Sequence, residues 1–132
     1  EVWMKPLAIS VDPVGDLQAI VRRVILSRMK NPDKLACGCP LNNFAQEMAP
    51  LDEGFRRRTE AIYANWRGSI AAALARGNKA GLVRRDVVPR QVAAFVVAAM
   101  TGIIGTAKNA QSESLMAEAG EALLAYLGGL KS

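Results

Sequence analysis

Histidine does not occur anywhere in the 132 residues. Its absence removes Ser-His-Asp and Cys-His catalysis, the usual general base near neutral pH and the commonest metal ligand together. Cysteine is almost as scarce. Cys37 and Cys39 form a lone C-x-C pair, and a structural zinc site takes four ligands, so no metal site is expected. No Gly-rich phosphate loop is present either. Carboxylates stand at Glu47, Asp52, Glu53 and Glu60, but no two share an apolar helix face as an acid–base pair would. These gaps argue against an enzyme: no catalytic residue is assigned and no cofactor is expected. Aromatic residues make up only 5% of the chain, and nowhere do apolar and polar residues alternate over a strand length. With abundant alanine, the composition predicts an all-α fold in one domain, residues 1–132. Glu1 to Ser10 lacks the basic and apolar regions of a signal peptide, which suits a cytoplasmic protein.

What the chain does have is one long uncharged run. From Val92 to Ala107 no residue carries a charge, and Arg90 and Lys108 fence it. At helical pitch this run is apolar all round and has to be covered on every side. One side carries the bulky residues Val92, Phe95, Val96, Met100 and Ile103. The other carries Ala94, Ala98, Thr101, Gly102 and Gly105, which let a second backbone come close. A membrane span needs roughly 20 predominantly apolar residues; this run is shorter and made largely of Ala, Gly and Thr, so no membrane partner is expected. A chain of this size covers one side with its own helices, and a second copy is expected to cover the other, making a homodimer.

Local signals predict five helices. Asp12-Pro13 is an N-cap followed by proline at the first helical position, opening a helix over residues 13–29 that Asn31-Pro32 ends. Before it, Trp3, Met4, Leu7 and Ile9 offer an apolar segment able to pack on the domain. A short helix over 41–48 presents Leu41, Phe44, Ala45 and Met48. A long helix starts at Asp52 and ends between Gly77 and Gly81, with Phe55, Thr59, Ile62, Tyr63, Trp66, Ile70, Ala73 and Leu74 as its stripe. Residues 82–89 connect it to the apolar helix, and Ser112 or Ser114 caps the last one. Its seam of Leu115, Met116, Ala119, Leu123, Tyr126, Leu127 and Leu130 suits antiparallel packing on its neighbour. Two such hairpins, one per subunit, would close a four-helix bundle about a twofold axis. The expected interface is therefore Ala98, Thr101, Gly102, Gly105, Leu123, Tyr126 and Leu127. A net charge of +5 is spread along several helices, as on solvated faces, and no DNA-reading motif is visible.

Two segments carry a resemblance. Gly38-Cys39-Pro40-Leu41-Asn42-Asn43-Phe44-Ala45-Gln46-Glu47-Met48 resembles the opening of the sixth helix in many TetR/AcrR-type transcriptional regulators. Ala75-Arg76-Gly77-Asn78-Lys79-Ala80-Gly81-Leu82-Val83-Arg84-Arg85-Asp86 resembles the end of their seventh helix and its turn. The order of an apolar helix and a last amphipathic one is also theirs, so the resemblance runs from about Pro13 to Leu130. It implies the ligand-binding and dimerisation domain of such a regulator, a repressor, without the family's N-terminal DNA-binding module. Operator DNA would be met only through that module. An effector would shift the population of helix arrangements and so the spacing of the DNA-binding heads. Phe44, Met48, Ile62, Tyr63, Trp66, Phe95 and Met100 are the candidate pocket lining, which favours an apolar or aromatic small molecule; Asn42, Asn43 and Gln46 could orient it. The alternative is a thiol-based redox or electrophile sensor on the same scaffold, reporting through Cys39 or Cys37.

Overall fold

A computed structural model describes residues 12–132; the expected packing of Trp3, Met4, Leu7 and Ile9 lies outside them. Within this range the chain is all-α, with six helices: α1 (Pro13–Met29), α2 (Pro32–Cys37), α3 (Pro40–Met48), α4 (Glu53–Lys79), α5 (Pro89–Ala110) and α6 (Glu113–Gly128). Side-chain caps open α1, α2, α4 and α6, while α3 and α5 start on a proline without one. The Asp12 carboxylate accepts the Gly15 amide at 3.1 Å, Asp52 accepts that of Phe55 at 3.0 Å, and Ser112, not Ser114, accepts that of Leu115 at 3.0 Å. These bonds satisfy donors that a helix start leaves without partners.

The sixth element is α2. Asn31-Pro32 ends α1 as expected, but the same pair also begins a new helix. The Asn31 side chain accepts the amides of Asp33 and Lys34, and Pro32 takes the first helical position, where its missing N–H costs nothing. Gly38, at φ +71°, then turns the chain into α3.

Helix α4 packs along α5, α1 along α6, and α5 also meets α6 and α2. The core lies between them. It joins Val14, Leu17, Val21 and Ile25 of α1 to Ile70 and Leu74 of α4, Val92, Val96, Ile103 and Ile104 of α5, and Met116, Leu123, Leu124 and Leu127 of α6. Two glycines set close approaches. A Cβ on Gly120 would lie 2.3 Å from Ile25 Cδ1, where α6 crosses α1; one on Gly77 would lie 2.7 Å from both Pro13 and Val83. The Gln18 side chain ties α1 to α6 by donating to the Leu124 carbonyl at 3.2 Å.

Helix α5 spans 22 residues, with mean hydropathy 1.4 in its most apolar window. Length and composition would therefore suffice for a membrane span, contrary to the length-based expectation. In the fold, its residues Val92, Ala93, Val96, Ile103, Ile104 and Ala107 are buried against α4, α6 and α2. The connector after α4 is held by the end of α6. Val83 and Lys131 form an antiparallel bridge, the Arg84 amide donates to the Leu130 carbonyl at 2.9 Å and the Ser132 amide to the Leu82 carbonyl at 3.2 Å.

Candidate effector cleft and dimer face

Helices α3 and α4 leave a shallow, open cleft of about 330 Å³ between them, lined by Pro40, Leu41, Phe44, Phe55, Arg58, Thr59 and Ile62. Helical spacing explains the α4 side: positions 55, 58, 59 and 62 recur at three and four residues and share one face. The rings of Phe44 and Phe55 sit 6.3 Å apart at a tilt, yet Phe44 remains 57% exposed. Thr59 is buried, and its hydroxyl donates back to the Phe55 and Arg56 carbonyls. The lining is thus apolar except for Arg58.

Beside the cleft, the Tyr63 hydroxyl donates to Asn42 Oδ1 at 3.2 Å, joining α4 to α3. Its ring meets Trp66 edge-on at 5.7 Å. Desolvation pushes the Tyr63 phenol up to about 12, with the charges of Cys39 and Glu60 acting in the same direction. On the outer surface Glu53 takes Arg56 at 2.6 Å and Arg57 at 3.5 Å. The Arg56 hydrogen bond holds the Glu53 carboxyl below its ordinary value. Glu60 pairs with Arg67. No hydrogen-bond or ion-pair partner of the Arg58 guanidinium is found among the described residues.

The seven residues expected to line one pocket are not brought together. Phe44 and Ile62 line the cleft; Tyr63 and Trp66 form an aromatic pair next along α4; Met48, half-buried, ends α3. Phe95 belongs elsewhere. Half exposed, it stacks edge-on against Tyr126 at 4.9 Å and lines a separate hollow with Arg84, Val88 and Gln91. Met100 packs, partly buried, against the core. A helix apolar all round gives no periodic signal for its faces, so the sequence does not pair Phe95 with Tyr126. Phe55 and Thr59 stood in the α4 stripe without being taken as lining; Arg58 was hidden in the run Arg56 to Arg58. Of the orienting candidates, Asn42 holds Tyr63, and Asn43 Nδ2 donates to the Cys37 carbonyl at 2.7 Å, which fixes the turn between α2 and α3.

Elsewhere on the surface, α5 and α6 present a face of small residues. Ala98 and Gly102 are exposed, Thr101 and Gly105 half-buried, and a Cβ on either glycine would meet nothing within 4 Å. The Thr101 hydroxyl donates to Ala98 O at 3.0 Å and that of Thr106 to Gly102 O at 2.8 Å, so neither leaves a polar group unsatisfied on this face. Tyr126 joins it, 40% exposed. Leu123 and Leu127 do not. They are 4% and 0% exposed, turned into the protomer's own core, because α6 spends its leucine seam on α1 and α5. Both cysteines are free, Cys37 exposed and Cys39 half-buried. Among the described residues no three His, Cys, Asp or Glu side chains gather as metal ligands.

Comparison with known proteins agrees with this architecture. The chain is 31% identical over 67 residues to the HTH-type transcriptional repressor DhaR of Mycobacterium sp. (strain GP1), a match covering 51% of this chain and 34% of DhaR. It superposes on the crystal structure of a TetR transcriptional regulator from Chloroflexus aurantiacus with a TM-score of 0.81 and 25% identity, covering 98% of this chain and 64% of that one. A TetR-family regulator from Cytophaga hutchinsonii shares the fold at a TM-score of 0.67 and 16% identity, over 89% of this chain and 70% of that one. The chain thus spans less than two thirds of the first two. Residues 13–123 match the family described as the tetracyclin repressor-like C-terminal domain, and the chain belongs to that family of transcriptional regulators.

Proposed function

We propose that this chain is the effector-sensing and dimerisation part of a TetR-type repressor acting in the cytoplasm. The observation that carries the proposal is the α3–α4 cleft, with its exposed Phe44 and half-buried Phe55. Apolar surface left open in a concave site is what a small-molecule site needs. An effector there moves α3 relative to α4. Helix α4 has 27 residues, about 40 Å at 1.5 Å per residue, and its far end at Gly77 touches Pro13 of α1. Displacement at the cleft therefore reaches the start of α1, the side from which a DNA-binding head would be steered. The α5–α6 face joins two copies, so paired heads change spacing together and operator and effector are reciprocally coupled. In this reading the protein is a binding module and not an enzyme.

The test combines sedimentation equilibrium at micromolar concentration with a thermal-shift screen of apolar and aromatic molecules. A dimer whose melting temperature rises with a ligand, the rise being lost in Phe44→Ala, is the expected result. A well-folded monomer, or ligands acting independently of Phe44, would overturn it.

A thiol sensor is the second reading. Cys39 stands at the N-cap position of α3, the wall of the same cleft, and its free thiol is half-buried. A change in oligomer geometry after peroxide or quinone treatment, abolished by Cys39→Ser, would favour it over reversible binding.

A further inference from the structure

The polar groups along the cleft stripe are unbalanced in kind. Arg58, at the cleft, is a cation without a partner among the described residues, while its neighbours Arg56 and Arg57 share Glu53. No carboxylate lines the cleft. The Thr59 hydroxyl is occupied by backbone carbonyls and offers no free proton. Seven residues beyond Arg58, two turns along the same face of α4, the buried Asn65 Nδ2 also lacks a hydrogen-bond partner. Asn65 does not line the cleft, so Arg58 is the one charged group on its lining. Arg58 is exposed, and an anionic group reaching it along this otherwise apolar wall gains a charge-assisted pair.

We propose that the α3–α4 cleft takes an apolar carboxylate, its carboxylate paired with Arg58 and its hydrocarbon or ring body lying on Phe44, Phe55 and Ile62. This rests on the cleft being the effector site, as proposed above, and adds the chemical class of the effector. A planar guanidinium matches a carboxylate with two parallel hydrogen bonds. The rings of Phe44 and Phe55, tilted 59° to each other, accept a flexible chain or a single ring. A neutral apolar molecule of the same shape would gain the wall but not the cation.

The experiment titrates octanoate and 3-phenylpropionate, beside their neutral amides octanamide and 3-phenylpropionamide, into the 132-residue protein. Binding is read from the Ile62 methyl resonance, assigned with Ile62→Val. The expected result is a preference of about tenfold or more for each acid over its amide, as charge-assisted hydrogen bonds are about twice as strong as neutral ones. That preference falls to about twofold or less in Arg58→Gln and shrinks with added salt. Equal binding of acids and amides, unaffected by Arg58→Gln but lost in Phe44→Ala, would overturn the carboxylate and leave the cleft as an effector site. No shift at Ile62 with any probe would overturn both. A change of association state in Phe44→Ala would show that another protein surface fills the cleft, and would equally refute the proposal.

Discussion

Gly102→Arg separates the stability of the protomer from that of the dimer, because its two effects have opposite signs. Nothing lies within 4 Å of a Cβ at this position, and Gly102 is exposed in the middle of α5, so the arginine side chain leaves the protomer free of clashes. Replacing a mid-helix glycine by a good helix former stabilises that helix by about 0.8 kcal/mol. In the proposed dimer the same position would lie against a second copy. Twofold symmetry then places two unpaired guanidinium groups in one apolar contact. Taking each from water costs several kcal/mol; at about 3 kcal/mol apiece the interface loses about 6 kcal/mol, or about four decades in dissociation constant at 1.4 kcal/mol per decade. Sedimentation equilibrium across a range of concentrations measures that loss. Thermal unfolding should become independent of protein concentration, as expected once association no longer contributes. If Gly102→Arg dimerises with an unchanged dissociation constant, the α5–α6 face is not the interface.

Three further outcomes are expected. Leu127→Ala should destabilise the protein by about 2–5 kcal/mol, and equally at low and high concentration, since Leu127 is buried within one protomer; a loss that depends on concentration in denaturant titrations would return this residue to the interface. In a Tyr126→Phe background the remaining phenol of the described range, Tyr63, should ionise near 12 and not near 10. The unfolded chain releases that proton first, so stability falls as pH rises from about 10 towards 12; a phenolate absorbance midpoint at the ordinary value would contradict its desolvation. Cys39 caps α3 with an extended backbone and no side-chain hydrogen bond, so Cys39→Ser should raise stability by up to about 1 kcal/mol, read from the urea midpoint; no gain would mean that the cap position cannot present its oxygen to the helix.

Elements and their limits were largely legible because they depend on neighbouring residues alone. Asp12-Pro13, Asp52 and Ser112 act through bonds spanning three residues. Asn31-Pro32 shows the limit of that logic: one dipeptide can both end a helix and begin another, and only the burial of Leu35 decides. Faces were harder. The α6 seam is plain as a periodicity, but periodicity does not name the partner, and Leu123 and Leu127 meet their own chain instead of a second copy. On α5 even the seam vanishes, so nothing in the sequence pairs Phe95 with Tyr126. That Ala98, Gly102 and Gly105 share one face of small residues is legible from helical spacing alone. Arg58 was invisible for another reason. Its meaning lies in the partner it lacks, and that is a property of three dimensions.

The tie between the α4–α5 connector and the end of α6 gives that connector an unusual standing. Surface turns are ordinarily where proteases cut and insertions are tolerated. Here the Arg84 amide and the Arg84 guanidinium reach the Leu130 and Gly129 carbonyls, while Val83 and Val87 are buried. Its amides at 84 and 132 should exchange with solvent as slowly as helical ones. An inserted peptide between Val83 and Val87 would therefore not dangle harmlessly; it would unlatch the far end of a helix some forty residues away in sequence, which makes this the wrong place to graft a tag or a second domain.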